Sequence, residues 1–112
     1  SRDGENIYIV TPDARWSFAA QIPLRINKVS KKVGRYYLQV RMQVTRGEMG
    51  IGILRKHSDE MLVEEFFGVK EDFEEVIIEI DTLDDAECVI IRNVERDGNI
   101  SSMILKDAIL YE

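Results

Sequence analysis

Between Gly34 and Arg46 the chain alternates with period two: Tyr36, Leu38, Val40, Met42 and Val44 are apolar, and Tyr37, Gln39, Arg41, Gln43 and Thr45 stand between them. Side chains alternate across a strand, so this run is a long strand with one buried face. A helix would scatter the same residues around its axis. The chain around this strand therefore has to build an all-β core, and its other segments are consistent with that.

Met49-Gly50-Ile51-Gly52-Ile53-Leu54 follows, with Met49, Ile51 and Ile53 on one face and two glycines on the other. Same-face glycines mark a bulge, a close packing contact or a shallow surface floor. Arg46-Gly47-Glu48 between these strands has hairpin length, with Gly47 able to take positive φ. Phe73 to Asp81 sets Val76, Ile78 and Ile80 against an acidic face interrupted by Ile77. Glu87 to Glu95 and Ile100 to Tyr111 are two further strands around an Asp97-Gly98-Asn99 turn, the last with a bulge expected at Lys106-Asp107. Asn6 to Val10 and Trp16 to Ile22 are short strands separated by Thr11-Pro12-Asp13. Trp16 and Phe18 share a face, and at least one is expected to anchor the core. Met61 to Phe66 reads as a strand, with one or two helical turns over Asp59 to Phe67 as the alternative.

About eight antiparallel strands with short connections predict a β-sandwich of jelly-roll type, its first and last strands adjacent; a small closed barrel is the alternative. At 112 residues the chain has room for one such domain, 1–112. Its start at Ser1 points to a processed chain or a domain excised from a larger parent. No apolar run approaches about 18 residues, which argues against membrane insertion.

Charge is segregated. Residues 1–58 hold eleven Lys/Arg and four Asp/Glu, and residues 59–87 hold one Lys and thirteen Asp/Glu. Neither piece is long enough to close its own core, so basic and acidic strands are expected as neighbours that neutralise each other across a sheet. The alternative is a basic face, including Lys31 and Lys32, that docks on something anionic. A formal net charge of −6 argues against a broad nucleic-acid surface.

The chemistry for catalysis is sparse. His57 is the single histidine, placed in a loop beside Asp59, and Cys88 is the single cysteine, placed in a strand. No GxSxG, HExxH, CxxC or phosphate-loop motif occurs. The Asp81, Asp84, Asp85 and Glu87 group lacks calcium-loop spacing and reads as a charged turn. The chain is therefore read as non-catalytic. Tyr37 shares a strand face with Gln39, Arg41 and Gln43, which makes a plausible polyol platform: the ring covers apolar C–H edges and the amides and guanidinium take hydroxyls.

Thr11-Pro12, then Trp16-Ser17-Phe18-Ala19-Ala20, then Gly34-Arg35-Tyr36-Tyr37 leading the long strand, and finally Ile104-Leu105-Lys106-Asp107-Ala108-Ile109-Leu110 resemble the galactose-binding-like jelly-roll superfamily. That superfamily includes carbohydrate-binding modules and accessory domains joined to bacterial glycosyl- or methyltransferases. The resemblance implies a non-catalytic accessory module, with an oligosaccharide and a catalytic domain of the same parent chain as partners. It implies either no cofactor or a structural calcium held near Gly4-Glu5-Asn6 and Asp107, with Glu5 and Asp107 as ligands. It implies sugar contacts on the concave sheet face (Tyr37, Gln39, Arg41, Gln43) or in end loops (Trp16, His57, and Arg92 or Asn93). A structural or protein-interaction sandwich without a small ligand is the alternative function.

Overall fold

A computed structural model describes residues 6–23, 36–81 and 85–111. Eight strands follow one another: β1 (Ile7–Val10), β2 (Phe18–Pro23), β3 (Tyr36–Arg46), β4 (Glu48–Arg55), β5 (Met61–Gly68), β6 (Glu74–Ile80), β7 (Ala86–Asn93) and β8 (Ser102–Tyr111). They form two four-stranded sheets, ordered β1-β8-β3-β6 and β2-β7-β4-β5. The first strand pairs with the last, the second with the seventh, the third with the sixth and the fourth with the fifth, all antiparallel. This is a jelly roll: a long hairpin of strands wrapped so that its two arms supply two facing sheets. Glu5, Lys31, Lys32 and Asp84 lie outside the described residues. No helix among the described residues is long and apolar enough to cross a membrane.

The period-two readings hold residue by residue. Leu38, Val40, Met42 and Val44 of β3 face Met49, Ile51 and Ile53 of β4 across a shared core, joined by Val76, Ile78 and Ile80 of β6, Val89 and Ile91 of β7, and Met103 and Leu105 of β8. Each fully buried side chain of this size contributes roughly 1.5–3 kcal/mol relative to exposure. Gly47 takes φ 73° in the β3–β4 turn and Gly98 takes φ 74° in the β7–β8 connection, as turn chemistry requires. The ladder between β3 and β8 slips between Arg41 and Met42, where Asp107 and Leu105 are the successive partners; Lys106 is the extra residue of the expected bulge.

The strand reading of residues 61–66 holds, and the helical alternative does not: Met61–Gly68 is a strand, with Val63 and Phe67 packing on the core at strand parity. One sequence reading changes. Trp16 and Phe18 are both on the outside, and neither anchors the core. The cause is a register slip between Phe18 and Ala20 that opposes Phe18 to Arg92, which points outward; Ala19, Ala20 and Ile22 pack on the core instead. Ile90 and Cys88 have outward parity on β7, yet both are buried. The charge reading holds in part: Arg41 of the basic run pairs with Glu75 of the acidic run across β3 and β6 at 3.2 Å. However, β5 and β6, the acidic strands, are both sheet edges.

Ile78→Ala, at the centre of this core, is expected to lower stability by about 2–5 kcal/mol through lost transfer energy and a cavity. Arg41→Ala on the outer face loses an exposed ion pair and is expected to cost within about 1 kcal/mol. Urea denaturation midpoints check both, and equal losses would contradict the assigned parity.

Candidate functional site

One end of the sandwich is assembled around Asn93, the last residue of β7. Its parity turns it inward opposite Met49, and it is fully buried. A buried amide needs partners for both its donor and its acceptor atoms. Nδ2 donates to Pro12 O at 3.0 Å and Asn99 O at 2.8 Å, with Ala14 O at 3.4 Å. Oδ1 accepts from Glu95 N at 3.0 Å and lies 2.8 Å from Ser101 Oγ. Ser101 N in turn donates to Thr11 Oγ1 at 2.8 Å, and Thr11 N donates to Ser101 O at 2.9 Å. The 11–14 loop and the 95–99 turn are thus fastened to the end of the core by side-chain amide and hydroxyl groups.

This fastening sets the conformation of Trp16. Asn93 O accepts from Trp16 N at 2.6 Å, Asn93 N donates to Ser17 O at 3.0 Å, and Ser17 N closes a turn on Ala14 O at 3.2 Å. Trp16 sits between these bonds at φ 70°, a left-handed value that bulky residues rarely adopt. Such a conformation costs on the order of 1–3 kcal/mol and persists where its surroundings over-determine it. The result is an indole held on the outer face of the second sheet, 42% exposed.

Beneath it lies an ion pair set into the sheet. Gly50 faces Arg92 on one side and Phe66 on the other, and Gly52 faces Glu64. Arg92 Nε donates to Glu64 Oε2 at 2.6 Å and Nη2 to Glu64 Oε1, a two-pronged pair laid across β4. The side chains of Arg92 and Glu64 are 16% and 8% exposed. The glycines are the reason this fits: a Cβ on Gly50 would lie 2.5 Å from Glu64 Oε2, and one on Gly52 would lie 2.7 Å from Val63 O. Arg92 carries the indole, with its guanidinium carbon 4.6 Å from the ring centre, and Arg15 lies 4.4 Å from the same centre. Phe66, 55% exposed, meets Trp16 edge-on with centroids 6.3 Å apart. Trp16, Phe66 and the two guanidinium groups form a shelf that can cover the C–H face of a ring and donate hydrogen bonds at its margin.

The other sequence-derived residues fall elsewhere. Tyr37, Gln39, Arg41 and Gln43 share the outer face of the first sheet, as their parity requires, but much of their chemistry is already engaged. Tyr37 is half-buried, Arg41 pairs with Glu75, and Gln43 Nε2 donates to Lys70 O at 3.0 Å and Glu71 O at 2.7 Å, pinning the β5–β6 connection. His57 is exposed at φ 57° in the β4–β5 turn, where Lys56 N meets Asp85 O. Trp16 lies beside Gly50 and Arg92, at the other end of β4, so His57 does not join it. Cys88 is buried, and burial pushes its thiol up, with Glu87 adding to the shift. Asp107 stands opposite Arg41 with Oδ1 buried and unpartnered, and Asn6 precedes the Ile7–Leu105 pair of the neighbouring ladder. A calcium ion wants six to eight oxygens, and no group of three His, Cys, Asp or Glu among the described residues converges there. Glu5, the other residue of that expectation, lies outside the described residues. No protein family, curated protein or solved structure matches the chain.

Glu64, Phe66 and Arg15 are members of the shelf that sequence reasoning missed. The usable signal was the Gly50-x-Gly52 pair, a floor whose occupants only strand register reveals.

Glu64→Ala leaves the Arg92 charge buried and unpaired, and is expected to cost about 3–5 kcal/mol; a Glu64→Leu/Arg92→Leu double variant should fall within about 1–2 kcal/mol of the parent. Comparable losses from both, in urea unfolding, would show that the pair is not a buried unit. Glu95 supplies a pH test. Its carboxylate accepts from Asn99 N at 2.9 Å and Asp97 N at 3.1 Å, and these bonds hold its pKa below the ordinary glutamate range. The folded-state value is lowered, so this contribution is complete above the ordinary range and is lost as pH falls through the folded value. Glu95→Gln should flatten that acid limb of the stability profile, measured by thermal unfolding.

Proposed function

We propose that this jelly roll is a non-catalytic carbohydrate-binding module whose binding surface is the Trp16–Phe66 shelf. The observation that carries this reading is Trp16 itself: a bulky residue held in a left-handed conformation by Asn93, on a buried Arg92–Glu64 support, with its indole at the surface. Strained, over-determined residues concentrate at ligand sites. A sugar ring laid against the exposed Phe66 ring beside Trp16 buries its C–H face, and the exposed Arg15 guanidinium, which lies over the indole, offers donors to its hydroxyls. The jelly-roll resemblance supports the same reading, with loop residues rather than the Tyr37 face as the contact set. A non-catalytic role is supported by the placement of the two most reactive side chains, His57 exposed in a distant turn and Cys88 buried with its thiol pushed up.

Protein contact through the outer face of the first sheet is a second reading. It is favoured by the row Ile77–Gln39–Ile109, in which the flanking isoleucines are 58% and 44% exposed.

Trp16 is the single tryptophan of the chain, so its emission reports on the shelf directly. Titration with a panel of oligosaccharides is expected to shift that emission with an affinity of about 10 μM to 1 mM, since each hydroxyl bond replaces one to water. Arg15→Ala should weaken binding, and Phe66→Ala should weaken it more. Unchanged emission across neutral and acidic glycans at concentrations above that range would overturn the assignment.

A further inference from the structure

β5 and β6 are consecutive in the chain but belong to different sheets, and each lies at its sheet's end. Among the described residues β5 pairs with β4 alone and β6 with β3 alone. One row of backbone N–H and C=O groups on each strand is therefore taken by no described strand. The 69–73 connection joins them at one end. Away from that connection, Leu62 and Val63 of β5 and Glu79, Ile80 and Asp81 beside them line a groove of about 560 Å³. That size, with apolar walls and a few polar groups, suits a bound segment.

The opposite flank is built differently. β1 is four residues long, and β2 carries a register slip and Pro23, devices that stop an edge from accepting another strand. β6 has neither: its ladder with β3 is regular from Glu74 to Ile80. What the β5–β6 flank has instead is negative charge, since residues 59–81 contain ten of the chain's acids and one lysine. Like charges on two copies of this edge repel, so charge selects against self-pairing and in favour of a basic partner.

We propose that the β5–β6 groove receives an extended segment of a partner protein in which Lys or Arg alternates with apolar residues, hydrogen-bonded along the edge of β6 that no described strand takes. Strand parity dictates that pattern. Even-numbered residues of β6 point to the core and odd-numbered ones point outward. A strand added beside Glu79–Asp81 sends its alternate side chains into the gap against Ile80 and Val63, which are apolar. The side chains between them lie outward beside Glu79 and Asp81, which are carboxylates. Main-chain bonds supply affinity in this mode, and the alternating side chains supply selectivity.

The test uses the isotope-labelled full chain and a capped peptide of about seven residues alternating Lys and Val, with an alternating Glu and Val peptide as control. Saturable amide shifts at Leu62, Val63 and residues 79–81, together with slowed amide exchange along β6, are expected for the Lys peptide and not for the Glu peptide. Glu79→Lys/Asp81→Lys changes two exposed side chains and should leave the spectrum's dispersion intact while weakening binding by at least about tenfold. Equal binding by that variant, shifts without slowed exchange in β6, or no saturable shift with millimolar peptide would each overturn the proposal. Trp16 emission should stay constant throughout, because the shelf is a separate surface; a change there with silent β6 amides would also overturn it.

Discussion

The fully buried amide of Asn93 sits where the 12–14 loop, the 95–99 turn and Ser101 converge, and removing it would release several backbone groups and the Ser101 hydroxyl from their partners. Leaving such groups unsatisfied costs more than a made hydrogen bond contributes, so the arrangement is all-or-none. It also decides a geometry outside the core. Because the backbone of Asn93 bonds both Trp16 and Ser17, the chain cannot relax Trp16 out of its left-handed conformation without breaking the ladder end that the amide stabilises. A buried residue at one end of the sandwich thereby governs the exposure of an indole on its surface.

The support under that indole follows the same logic at the next strand. An ion pair as covered as Arg92–Glu64 loses much of its hydration, and its mutual attraction offsets that loss only with close, two-pronged geometry. Gly50 and Gly52 make the geometry possible by letting two long side chains lie flat on β4, although glycine is a poor strand former. With Glu64 holding its fork, Arg92 presents a fixed cation to the Trp16 ring instead of a mobile one. A Lys at position 92 would keep the charge but lose the planar fork, and with it the orientation.

Strand parity is the part of this molecule legible in its sequence, since a one-residue slip would invert every burial assignment in β3 or β6. The turns at Gly47 and Gly98 and the bulge at Lys106 are legible for the same local reasons. Partners across the sheet are not. Nothing within five residues of Glu64 announces Arg92, and the outward turn of Phe18 depends on a slip between β2 and β7 that only pairing defines. Tyr37, Gln39, Arg41 and Gln43 illustrate the converse: their shared face is read correctly from period two, but that Gln43 spends its amide on the 70–71 backbone is a tertiary fact. The Trp16 site is legible in part: the resemblance brings Trp16 together with Arg92 or Asn93, but that the Asn93 backbone fixes Trp16 and that Glu64 holds Arg92 are tertiary facts.

Charge segregation along the chain takes on meaning once the strand order is known. In a jelly roll the fourth-to-fifth hairpin and the fifth-to-sixth connection fold to one flank, so a run of acids over residues 59–81 becomes a property of a single edge. Four of those acids are matched by cations reached through the fold, namely Arg55 to Glu60, Arg92 to Glu64, Lys70 to Glu74 and Arg41 to Glu75. Pairing of this kind offsets part of the acidic charge carried by β5 and β6. On its outer side β6 has no described strand beside it, and the excess of acids along this flank repels a second acidic edge while leaving backbone groups available. An edge guarded by proline refuses every strand; an edge guarded by charge refuses only strands of its own sign. The two flanks of this sandwich are guarded in these two different ways, and that difference makes one of them selective.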